Sequence, residues 1–195
     1  MENTFRKKLY TSTKELHNAL EHIFKFNDGI NEEKLDLFYN TMLIARYYCK
    51  PLLENLATCH VNTYNEHLIN ALKKDLKLID YSITNEVEKY RYCNFKSINF
   101  STQLGAYYVF AGSAAGAKVL LASAKKQTII KPFYYFTALA NSSQEQMNSL
   151  KELLSKREFI ESEVIESAQN TFNLIYQIAT NELQKRNTKL QGIRS

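Results

Sequence analysis

The chain reads as an all-α protein of one domain, and three observations predict this. Five glycines and two prolines in 195 residues are too few for the tight turns of a many-stranded protein. Apolar residues recur at helical spacing along most of the chain, and no stretch makes a convincing strand. A hydrophobic fraction of 45% over this length suits a single domain with a sizeable core.

The elements follow in order. The first helix is expected from Thr4 to Phe26, with Leu9, Leu16, Leu20, Ile23 and Phe24 as its apolar stripe and Asn27-Asp28-Gly29 as its stop. Asn31 caps a second helix, with Glu32 and Glu33 in the first turn, where acids complement the dipole. That helix runs through Leu35, Phe38, Tyr39, Met42 and Leu43 and should kink or break at Pro51. Tyr64–Asp80 is a further helix, and 81–99 is a polar, aromatic loop with room for one short helix. Thr102–Ala124 is helical. Phe133, Tyr134, Tyr135 and Phe136 form an aromatic cluster after Pro132, followed by helices over Ser142–Lys156 and Glu161–Lys185. The folded domain is expected to span 1–186, with 187–195 a polar, disordered tail.

One helix is unusual. Leu104–Ala124 holds Gly105, Gly112 and Gly116, and every residue from Ala111 to Ala117 is small. Glycine inside a helix costs about 0.5–1 kcal/mol relative to alanine. Gly112 and Gly116 are four apart and so share one helical face. Such a face admits close approach, either by a neighbouring helix or by a flat ligand. Its charge-free run stops at Lys118 and is only weakly hydrophobic, so no membrane span is expected.

The net charge of +5, with Arg6, Lys7, Lys8 and Lys14 clustered, suits an anionic partner but is too small to point to nucleic acid. Cys49, Cys59 and Cys93 fit no close metal spacing and read as free thiols of a reducing compartment. The N-terminal stretch lacks the apolar core of a signal peptide, so a cytoplasmic protein is expected. His17, His22, His60 and His67 form no zinc motif, and neither a phosphate-binding glycine loop nor a nucleophile elbow is present. Thr13, His17 and Glu21 lie at spacings of four on one line. Glu21 can reach one imidazole nitrogen of His17 and fix its tautomer, an arrangement that suits a single axial ligand to iron. The same pair also occurs as an ordinary surface contact.

TSTKELHNALE, with Thr13, His17 and Glu21, resembles the proximal motif of the haem oxygenase family. YYVFAGSAAGAKVL resembles that family's distal helix, most like its bacterial YVxEGSxLGG form. The resemblance continues through ALKKDLKLID, MNSLKELL and EVIESAQNTFNLI, in the family's order and over nearly the whole chain. It implies a haem oxygenase-like multi-helix domain. His17 would be the iron ligand, with Glu21 holding it. Gly112, Ser113 and Gly116 would line the distal side of the haem, with Ala117 against the ligand, Tyr107 in the distal polar network and Phe172 packed on the macrocycle. The family cleaves haem, its substrate and oxygen-activating group, to biliverdin, carbon monoxide and ferrous iron. Electrons come from an external ferredoxin or flavin reductase, and no flavin or nicotinamide motif occurs here. The chain departs from the family at Ala111 and Ala117, and at Ala140 and Gln144, where basic residues hold the haem propionates; Arg6, Lys7, Lys14 or Lys118 are the available substitutes. These departures keep a second expectation alive, a non-catalytic haem or tetrapyrrole binder of the same fold. A third, a thiaminase-like helical enzyme, lacks its recognisable cysteine and paired acids.

Overall fold

Among its described residues, a computed structural model of the chain has seven α-helices, one turn of 3-10 helix and no strand. The structure describes residues 2–54, 56, 61–78, 95, 97–127, 129, 132–156 and 158–192. The loop expected over 81–99 therefore lies outside the described residues as far as 94.

Helix α1 (Glu2–Phe24) buries Phe5, Leu9, Leu20 and Phe24. It stops two residues earlier than the apolar stripe suggests, because Lys25 turns left-handed at φ 49°. The 3-10 turn Phe26–Asp28 and Gly29, at φ 92°, then reverse the chain. The Lys34 ammonium donates to the carbonyls of Lys25 and Gly29, each at 2.7 Å, and so satisfies backbone acceptors freed by the turn.

Helix α2 (Glu32–Tyr48) begins at the expected cap, with the Asn31 side chain accepting from Lys34 N at 2.8 Å. From Leu35 to Arg46 it is buried nearly all round, which makes it the central helix. It ends at Cys49, two residues before Pro51. Pro51 then sits in the first turn of the short helix α3 (Lys50–Glu54), where a missing N–H costs nothing. Helix α4 (Val61–Asp75) starts and ends earlier than expected, and Lys77 at φ 56° turns the chain away.

Helix α5 (Phe100–Lys125) starts with a capping box. Asn99 Oδ1 accepts from Thr102 N, while Asn99 N donates to Thr102 Oγ1, both at 3.0 Å. Helix α6 (Tyr134–Lys156) begins inside the aromatic cluster rather than at Ser142. The reason lies on another helix: the Asp75 carboxylate accepts from Tyr134 N at 3.0 Å and Tyr135 N at 2.8 Å, capping α6 from the end of α4.

Helix α7 (Glu161–Gly192) runs beyond its expected end. The stretch 187–192, expected as a disordered tail, continues the helix; residues 193–195 lie outside the described residues. Neither glycine nor proline interrupts the sequence before Gly192, and the Arg186 guanidinium donates to the Glu33 carbonyl at 2.8 Å.

Helix α7 is the common wall, packing against α1, α2 and α5, while α5 also packs along α6. Phe38 gathers the core rings, with Phe24 at 5.1 Å and Phe26 and Phe136 each at 5.4 Å between centroids. Gly105 makes a close crossing of α5 with α7. A Cβ built there would overlap the Val164 carbonyl and stand 2.7 Å from Ser167 Cβ. Helix α5 is long and apolar enough to cross a membrane by length and composition, but half of that window is buried against protein.

Candidate functional site

Lys8 pairs with Glu161 at 2.8 Å, and Gln169 Nε2 donates to the Ser12 carbonyl at 2.9 Å. These contacts hold α1 alongside α7 and bring two distant residues together. The His17 ring meets Phe172 edge-on, with centroids 6.0 Å apart and planes at 77°. Phe172 is buried and so gives the imidazole a fixed wall.

The His17 side chain is 57% exposed, and Glu21 Oε1 stands 3.5 Å from its Nδ1. With Nδ1 facing the carboxylate, Nε2 is the nitrogen placed to bind something arriving from outside the helix. Thr13 shares the line of spacing but not the setting. It is buried, and its hydroxyl donates to the Leu9 carbonyl of its own helix at 2.9 Å. Among the described residues no three His, Cys, Asp or Glu side chains gather to hold a bare metal ion.

On α5 the two candidate glycines differ from Gly105. A Cβ built at Gly112 or Gly116 meets nothing within 4 Å among the described residues, so neither glycine serves a crossing between the described helices. Ala115, Val119 and Ala122 are exposed beside them, Val119 at 72%. These five positions fall within about a third of the helix circumference at 3.6 residues per turn. The result is a bare, apolar strip with backbone at its surface.

Three other expected residues are placed differently. Ala117 is only 1% exposed and packs into the core, so its methyl does not line the strip; it is one residue, about 100°, round the helix from Gly116. Tyr107 is also buried, about two and a half turns before Gly116 and thus on the opposite side. Its hydroxyl donates to the Gln146 carbonyl at 3.1 Å, tying α5 to α6 rather than joining a polar network on the strip. Ser113 is half-buried and donates to the Phe110 carbonyl at 2.7 Å. The basic residues named for the propionates include Lys7, Lys14 and Lys118, all exposed, while Arg6 is half-buried.

Two features escape sequence reasoning. Ala115 and Val119 belong to the exposed strip, and their spacing from the glycines is the signal that could have marked them. Arg46 is buried in α2, and it follows Phe38, Tyr39, Met42 and Leu43 at core spacing; only its charge argued for the surface. Near the Gly105 crossing a cavity of about 90 Å³ is lined by Thr102, Glu163, Glu166 and Ser167 among others. That volume suits a few waters and not a macrocycle. No protein-family model, curated protein or solved structure matches the chain.

Proposed function

We propose that the chain binds haem through His17, beneath the glycine strip of α5, and cleaves it with oxygen and an external reductant to biliverdin, carbon monoxide and ferrous iron. The observation that carries this reading is the contrast among the glycines. Gly105 is consumed by a helix crossing, whereas Gly112 and Gly116 lower the surface of α5 where no neighbour needs the room. A flat apolar ligand is the kind of partner that uses such a strip.

The chain's residues fit haem as donors. His17 offers one imidazole nitrogen, Glu21 orients the ring, and Phe172 supplies an aromatic wall beside it. Haem, as substrate, supplies the oxygen-activating iron. His17 would hold the haem through one imidazole nitrogen, Phe172 would bound it on one side, and the two glycines would let the α5 backbone come close. Lys14, three residues before His17, and Lys118, two after Gly116, are exposed cations suited to the propionates. A ferredoxin or a flavin reductase is the external electron donor in this reading, and a cytoplasmic setting goes with it. Neither nucleic acid nor a membrane is a partner.

A specific observation favours a second reading, a haem carrier or sensor without turnover. The strip Gly112, Ala115, Gly116, Val119 and Ala122 presents no polar side chain, and the Ser113 hydroxyl is engaged by the Phe110 carbonyl. Ordering water beside the haem would then fall to backbone groups.

Adding haemin to the purified protein tests both readings. Wild type should give a histidine-ligated absorption spectrum at one haem per chain. His17→Ala should lose that spectrum and regain it with added imidazole. Reductant should then convert the haem to biliverdin if the first reading holds, and only reduce the iron if the second does. Identical spectra for wild type and His17→Ala would remove His17 as ligand, and no binding at micromolar haemin would sink both readings.

A further inference from the structure

Arg46 is 2% exposed, and a guanidinium keeps its charge wherever it is placed. Its Nε donates to the Tyr135 hydroxyl on α6 at 3.0 Å, and its Nη1 donates to Asn65 Oδ1 on α4 at 3.1 Å. Its central carbon lies 4.7 Å from the ring centroid of Phe110 on α5 and 5.5 Å from that of Tyr135. Nη2 has no hydrogen-bond partner among the described residues.

Burying a guanidinium with an N–H unmet is expensive, and a methionine would fill much of the same space without the desolvation. Hydrogen bonding therefore does not account for the charge. What the guanidinium does, and an aliphatic chain cannot, is join α2, α4 and α6 while pressing a flat cation on the face of Phe110. Phe110 is buried, two residues before Gly112, and points about 160° away from it round the helix. Holding that ring fixes the rotation and depth of the segment whose other face carries the glycines.

We propose that Arg46 is a positioning residue for α5: its guanidinium, stacked on Phe110, sets how closely the Gly112–Gly116 face approaches the ligand that His17 holds. The ligand rests on the haem reading above; the placement of α5 does not.

Amide hydrogen exchange on the ligand-free protein tests the placement. Arg46→Lys keeps the charge but loses the plane, and Phe110→Leu loses the ring. Each should speed exchange at residues 112–116 by about ten-fold or more, while amides at Leu174 and Ile178 stay within about two-fold. The double variant should add little to either, and Phe110→Tyr, which keeps the ring face but adds a buried hydroxyl, should speed exchange at 112–116 clearly less than Phe110→Leu does. Uniform acceleration across the chain, or no change at 112–116, overturns the proposal. If Arg46→Lys fails to fold, the contrast between Phe110→Leu and Phe110→Tyr decides the same point. With haemin, Phe110→Leu should weaken binding about five-fold or more relative to Phe110→Tyr while the histidine-ligated spectrum persists. A wild type that ignores haemin overturns the ligand named here, and the exchange pattern still decides whether Arg46 positions α5.

Discussion

Tyr39 carries a buried hydroxyl that has no hydrogen-bond partner among the described residues, in the middle of the aromatic core. Tyr39→Phe deletes that polar atom and keeps the ring, so stability should rise by about 1 kcal/mol in urea unfolding. A loss of similar size would mean that the hydroxyl is satisfied. Burial, with the Asp75 carboxylate second, pushes the Tyr39 hydroxyl pKa far above the usual tyrosine value near 10, and burial also raises that of Tyr135. For a group raised in the folded state, the neutral form is the folded one. Its contribution is complete below pH 10 and is lost as pH climbs beyond, at about 1.4 kcal/mol per pH unit for each such tyrosine. Tyr39→Phe should therefore flatten the alkaline limb of the stability curve; an unchanged slope would contradict the shift. At this scale the sequence was a mixed guide. The pairing of His17 with Glu21 follows from local spacing and is met in the structure. The burial of Ala117 and Tyr107 is not legible in the motif, because a motif matches letters in order, whereas a helix assigns faces by angle.

Between residues and the whole stand the helices, and α5 offers the sharpest contrast. Gly105→Ala drives a methyl into the backbone of α7 and should cost several kcal/mol, of the order seen for overpacked cores or more. Gly112→Ala and Gly116→Ala meet nothing and should each stabilise the ligand-free protein by about 0.5–1 kcal/mol through helix propensity alone. In the haem reading the same two substitutions weaken haemin binding. Thermal unfolding paired with haemin titration checks both halves, and a gain in stability with unaltered binding would detach the glycines from the ligand. The existence of the long helices was legible because periodicity is a local signal, whereas the five-residue α3 is too short to show one. Several ends were not, and the Asp75 cap on α6 shows why. The groups that settle where α6 begins come from a residue 59 positions away, beyond the reach of any local pattern. The Arg46 node was hidden for a related reason, since its partners lie on three other helices.

Across the whole molecule, the haem reading links ligand binding to folding. Haem bound to the folded chain alone should stabilise it by about 2.7 kcal/mol at a hundred-fold excess over its dissociation constant. Wild type should show that gain as a rise in melting temperature with haemin, and His17→Ala should show little of it. An equal rise in both would indicate binding elsewhere. The juxtaposition of α1 with α7 has a consequence in time as well as in space. Lys8 and Glu161, which dock these helices, are separated by 153 residues, and His17 meets Phe172 across a comparable span. At synthesis rates of about 5–20 residues per second, α1 leaves the ribosome roughly 8–30 seconds before the wall it rests on exists. During that interval His17 has neither its aromatic neighbour nor a facing helix, and any haem it met would find a lone imidazole on an unsupported coil. In the haem reading the site is complete only once α7 has been made, so haem capture would follow the synthesis of that helix.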